Sequence, residues 1–178
     1  MLTLRHAATL LCVATLFGCS GESSSGVLAP DALAPQLDAS NGSSGPSASG
    51  HANFINAAGM LIQRTFEARE KKDGVVEGNF VQHNTVTGVV VKGDINCLQL
   101  LGPTEAELSG TVREHSADPT LVGRTAIFRV GDNGEGSNDP PDRISGLNIQ
   151  GSGSTLDCKT FVNPFFTPIE SGNIQVKP

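Results

Sequence analysis

Four carboxylates and two asparagine amides crowd into the eleven residues Asp132-Asn133-Gly134-Glu135-Gly136-Ser137-Asn138-Asp139-Pro140-Pro141-Asp142. Oxygen donors at that density suit a hard cation. Calcium takes roughly six to eight oxygen ligands, and glycines allow the sharp turns that aim them inward. Asp132, Asn133, Glu135, Asp139 and Asp142 are the candidate ligands. The loop is not an EF-hand, which needs an acceptor at its third position, where this chain has Gly134. The alternative is a solvated hairpin loop. Its Asp and Asn side chains would then make their own Asx turns, with Arg129 or Arg143 offsetting charge.

Other reactive residues are scattered. His51, His83 and His115 each fall near an expected strand end, and no spacing among them matches a zinc triad. The chain lacks a G-x-S-x-G elbow, a P-loop and a G-x-G-x-x-G turn. A small hydrolase built on carboxylates or a Ser/His pair brought together in space stays open, because such pairing leaves no trace in sequence. Phe161, Phe165 and Phe166 cluster in the Pro-broken stretch 161–168. They read as a lid over one end of the core, or as an exposed apolar patch for a partner or ligand.

The chain that must position these groups has 178 residues, a net charge of −6 and neither Trp nor Tyr. The acidic balance argues against a nucleic-acid partner, because a phosphate backbone rewards clustered Lys and Arg. The missing Trp and Tyr argue against a stacking platform for sugars or bases. Ala7 to Phe17 is an apolar run behind Arg5 and His6. As a helix it rises about 16 Å, too short for a hydrocarbon core of roughly 30 Å. It reads as a signal-peptide core spanning residues 1–18. It ends in Leu16-Phe17-Gly18-Cys19, which resembles the lipobox of bacterial lipoproteins. That resemblance implies cleavage before Cys19, a diacylglycerol on its sulfur and an acyl chain on its nitrogen. Several buried chains at about 0.8 kcal/mol per CH₂ make a stable anchor. Ser20, rather than Asp, follows the cysteine. By the sorting rule of such lipoproteins, this implies the outer membrane.

Residues 19–49 are then the lipidated cysteine and a tether. Residues 20–49 hold nine Ser, five Ala, four Gly and three Pro, with no aromatic or basic residue. Such a stretch buries too little apolar surface to offset its ordering entropy, and it spans roughly 30 Å as a flexible chain. Residues 50–178 have the size of one domain.

Helical periodicity is nearly absent from residues 50–178, and turn residues recur about every ten positions, which predicts an all-β domain of about eight strands. In 62–69, Ile62, Phe66 and Ala68 face one way, with Arg64 as the exception among them. Asp73-Gly74 predicts a type I′ hairpin turn. A long β run, Val86 to Leu101, is expected to bend near Gly93-Asp94. In 105–113, Ala106, Leu108, Gly110 and Val112 point in, while Glu105, Glu107, Ser109, Thr111 and Arg113 point out. Single glycines inside strands signal curvature or bulges. The architecture is therefore either a single antiparallel β-barrel or a strongly coiled β-sandwich. Cys97 and Cys158 are the only thiols left after Cys19 once Cys12 leaves with the signal. In an exported protein they are expected to form a disulfide.

Gly50-His51, Asp73-Gly74 with Gly78, Gly93-Asp94 before Cys97, and Phe128-Arg129-Val130 leading into Asp132-Asn133-Gly134-Glu135-Gly136 and Pro141-Asp142-Arg143-Ile144-Ser145 together resemble a family of uncharacterised exported bacterial β-rich proteins. The resemblance implies a discrete module and no particular chemistry. The expectation is a lipid-anchored envelope protein. Its β domain is a non-catalytic binding or structural module with no cofactor, and its partner is a protein or small molecule. The alternatives are a calcium-binding module and a small hydrolase.

Overall fold

A computed structural model describes residues 45–136 and 138–178. The signal segment, Cys19 and the tether up to residue 44 lie outside the described residues. The domain is all-β and antiparallel. Its strands are β1 (Ser47–Ile55), β2 (Leu61–Glu70), β3 (Val76–Asn84), β4 (Val90–Leu100), β5 (Glu105–His115), β6 (Thr125–Gly131), β7 (Arg143–Ile144), β8 (Asn148–Ile149), β9 (Thr167–Pro168) and β10 (Ser171–Lys177). A single 3₁₀ turn, Pro119–Leu121, interrupts the β5–β6 connection. The sheet order is β10-β1-β2-β3-β4-β5-β6-β7-β9, with β8 also on β6. The short strands β7, β8 and β9 bring the count to ten, above the eight expected.

This sheet curls into a half-barrel whose concave face is the core. The alternation read in β2 holds: Ile62, Arg64, Phe66 and Ala68 are all buried. Phe128 packs edge-on against Phe66 and Phe80, with ring centroids 5.5 and 5.8 Å away. Curling needs close strand approach. A Cβ on Gly110 would sit 1.7 Å from the Asp94 carbonyl oxygen, and one on Gly93 would sit 2.3 Å from the Phe80 ring. Glycine at these two positions lets neighbouring strands coil. Strand β1 begins at Ser47, so residues 47–49, read as tether, are already sheet. Ala48 is fully buried there and pairs with both β2 and β10.

Several local expectations change. Asp73-Gly74 is not a two-residue I′ turn. Lys71 N–H bonds to the Val75 carbonyl and Gly74 N–H to the Lys71 carbonyl, enclosing a three-residue turn with Gly74 at φ 79°. The same closure recurs at Asn56–Met60, with Gly59 at φ 75°. Glycine carries the positive φ that completes such turns. Strand β4 starts at Val90 rather than Val86, because 85–89 form the preceding turn. The expected irregularity near Gly93 is real, and a second one follows. The β4–β5 register shifts between Lys92 and Gly93, then again between Ile95 and Cys97.

The second shift matters most. Val91, Gly93 and Ile95 face the core. The extra residue, Asn96, inverts the alternation, so Leu98 points inward and Cys97 outward. There Cys97 bonds to Cys158, with Cα atoms 5.9 Å apart. The disulfide expected between these two cysteines is present. It clamps a strap, residues 150–166, across the outer face of β5 and β6. Glu107 and Ser109 do point away from the barrel interior, yet both are buried, because that strap covers them.

A candidate binding cleft

The chain after β6 shapes one end of the half-barrel. Residues 144–149 and 161–167 meet the end of β1 around a cleft of about 780 Å³. Phe54, Ile144 and Ile149 form its inner wall, and Phe161, Phe165 and Phe166 its outer one. The Phe cluster is thus partly lid and partly surface. Phe161 and Phe166 are half-buried, whereas Phe165 is 79% exposed. Polar atoms come from Asn56, Asn148, Asn163 and Thr167. The carboxamides of Asn56 and Asn163 are committed. Asn56 Oδ1 accepts from the amides of Ala58 and Met60, and Asn163 bridges the Phe165 amide to the Gly146 carbonyl. Asn148 makes no side-chain hydrogen bond among the described residues, which leaves its carboxamide for an occupant. None of the lining residues is charged.

Two buried ionisable groups lie behind this lining. Arg64, which the alternation put on the inner face of β2, is 1% exposed. Its guanidinium lies 5.2 Å from the centroid of the Phe54 ring and 4.7 Å from that of Phe128. It donates to Gln82 Oε1 and, at 2.9 Å, to the Ser145 carbonyl. No carboxylate pairs with it among the described residues. Burial pulls its pKa down to about 9. It keeps its proton at neutral pH, stabilised by aromatic faces and carbonyl oxygens.

Glu107 lies under the strap. Its Oε2 accepts from the Asn163 amide at 3.1 Å, and its Oε1 has no partner among the described residues. Burial raises its pKa to about 7, against the opposing pull of the Asn163 N–H and the positive charge of Arg129. Arg129 bonds to Glu105, and its Nε is buried without a partner among the described residues.

The acidic loop has a structural use that its sequence does not announce. Asp142 is buried and accepts from the amides of Asn133 at 2.8 Å and Ile174 at 2.7 Å. Asp132 accepts from Gly134 at 2.9 Å and Val176 at 3.1 Å. Two carboxylates therefore tie β10, the last strand at one end of the sheet, to the loop leaving β6. Glu135 Oε1 accepts from the side-chain amides of Asn173 and Gln175, which hold its pKa below the ordinary carboxylate value. Asn133 donates to the Pro141 carbonyl, and Asp139 accepts from Gly136. Each of the five candidate calcium ligands is engaged in bracing the loop. No group of three or more His, Cys, Asp or Glu is arranged to hold a metal among the described residues.

The histidines occupy separate strands. His51 is central in β1 rather than at its end and meets Thr65 at 3.0 Å. His83 lies in β3, and His115 closes β5, accepting from the Asp118 amide. A second depression of about 610 Å³ crosses the convex face of β1–β5. Its carboxylates are partnered: Glu67 with Asn79, Glu77 with Lys71 and Asp94 with Arg113. The cleft residues of 144–149 carried no sequence signal, since only β-strand pairing brings them to the Phe cluster. Comparison with protein-family models, curated proteins and solved structures finds no match for this chain.

Proposed function

We propose that this chain is a lipid-anchored protein of the cell envelope whose β domain is a non-catalytic module that binds a small apolar molecule. The anchor rests on the lipobox-like Leu16-Phe17-Gly18-Cys19, and Ser20 in place of Asp after the cysteine supports the outer membrane by analogy with the lipoprotein sorting rule. The binding role rests on the cleft. An opening of about 780 Å³, walled by aromatic and aliphatic side chains with one free carboxamide, Asn148, has the size and character of small-molecule sites. Phe165, at 79% exposure, holds apolar surface in water that an occupant would cover. The strap that carries these rings is pinned by the disulfide, so the cleft is largely pre-formed and binding costs little ordering. The tether joins the domain at Ser47. The cleft opens past the other end of β1, about 30 Å further along the strand.

The test is titration of the purified domain with the neutral apolar dye N-phenyl-1-naphthylamine. Saturable one-to-one binding is expected, and Phe165→Asp, at an exposed position, should weaken it at least tenfold. Absence of saturable binding, or an unchanged affinity in Phe165→Asp, would overturn the reading.

A further inference from the structure

We infer that the occupant of the cleft is an acidic amphipath: an apolar body ending in a single anionic head, taken from solution and held at the rim by Arg143. This rests on the cleft being a binding site and adds the charge of its ligand. The lining itself is uncharged, so the charges just behind it set the potential inside. Arg64 stands behind the Phe54 wall, its guanidinium 5.2 Å from that ring's centroid. Arg143 and Arg129 stand over Phe166, at 4.2 and 4.8 Å from its centroid. Three guanidiniums thus back two walls of one apolar cleft.

The nearby carboxylates are engaged elsewhere: Asp142, next to Arg143 in sequence, accepts from the amides of Asn133 and Ile174. Glu105 is taken by Arg129. Glu107 lies under Asn163 in a dry site that disfavours its charged form. Arg64 and Arg143 join no ion pair among the described residues. Low-dielectric walls with charge of one sign behind them focus a field into the opening.

The two unpaired cations differ in role. Arg64 is enclosed, and its contacts with Gln82 and Ser145 are made within the domain. It contributes field, not contact. Arg143 is exposed, and only the Phe166 ring separates it from the cleft. Its planar fork suits a carboxylate or sulfonate oxygen pair. An apolar chain lying against Phe161 and Phe165 would leave its head beside Arg143.

Competition against the neutral dye tests this, using dodecanoate, methyl dodecanoate and dodecylamine below their aggregation limits. Dodecanoate should displace the dye at about tenfold lower concentration than the ester or the amine, the scale of one charge-assisted hydrogen bond at a partly exposed site. Arg143→Gln should remove that advantage and leave the ester unchanged, while Arg143→Lys should restore part of it. If the dye binds but dodecanoate gains nothing over the amine, or Arg143→Gln changes nothing, the anionic ligand is wrong and the apolar cleft stands. If the dye does not bind saturably, both fail.

Discussion

Asp142→Asn is the sharpest test of how the half-barrel is held together. The carboxylate is 5% exposed, and each oxygen accepts one backbone amide, from Asn133 at 2.8 Å and from Ile174 at 2.7 Å. A carboxamide has only one oxygen. One of the two amides, whichever the side chain abandons, must then face an NH₂ group. A hydrogen bond to a charged group contributes about 1.5–3 kcal/mol, and a buried donor left unpaired costs about 1–3 kcal/mol. Part of both penalties falls on the same contact, so the expected loss is about 2–4 kcal/mol. Asp139→Asn is the control. Its contact is with Gly136 in an exposed loop, and surface changes of this kind stay within about 0.5 kcal/mol. Urea unfolding gives the answer as a shift in midpoint at constant slope. Hydrogen exchange adds a local readout, since the Ile174 amide should lose protection in Asp142→Asn before its neighbours across β1 do. If Asp142→Asn unfolds within 0.5 kcal/mol of the parent protein, the carboxylate seam is not what closes the sheet.

Three further outcomes follow from the same geometry. Cys158→Ser opens a covalent loop of sequence separation 61, which the chain-entropy model values at about 4 kcal/mol; reducing agent should reproduce most of that loss in the parent protein and none in the variant. Glu107 has its folded pKa raised to about 7, so the folded state binds more protons than the unfolded one between about pH 4.5 and 7, and stability should fall across that window; Glu107→Gln should flatten the fall, and an unchanged pH profile would contradict the buried, partly neutral carboxyl. Cys19→Ala should move the protein from the membrane fraction to the soluble one, and continued membrane retention would remove the lipid anchor from the reading.

Much of the fold was legible because strand alternation is a one-dimensional signal. The inward sets of β2 and β5 could be read directly from side-chain period, down to Arg64 as the one polar residue facing in. Glu107 and Ser109 point outward as read, but their burial was not legible, because the strap that covers them is distant in sequence and irregular. The acidic loop was legible as a concentration of oxygens but not as a seam. What its carboxylates bind, the amides of Ile174 and Val176, lies 32 and 44 residues away. The cleft was half visible. Its phenylalanines stood out by clustering, whereas Ile144, Leu147 and Ile149 looked like ordinary strand residues.

By itself, the order of residues determined the period-two burial pattern, the turn glycines and the expectation that two sulfurs in an exported chain would pair. It did so because those properties depend on nearest neighbours or on the compartment. Which face of β4 Cys97 occupies was decided by one extra residue, Asn96, slipped against β5, and a register shift exists only between two strands. The cleft and the guanidiniums behind its walls belong to that second kind of fact: they arise where segments remote in sequence are brought into contact, and no local pattern encodes the meeting.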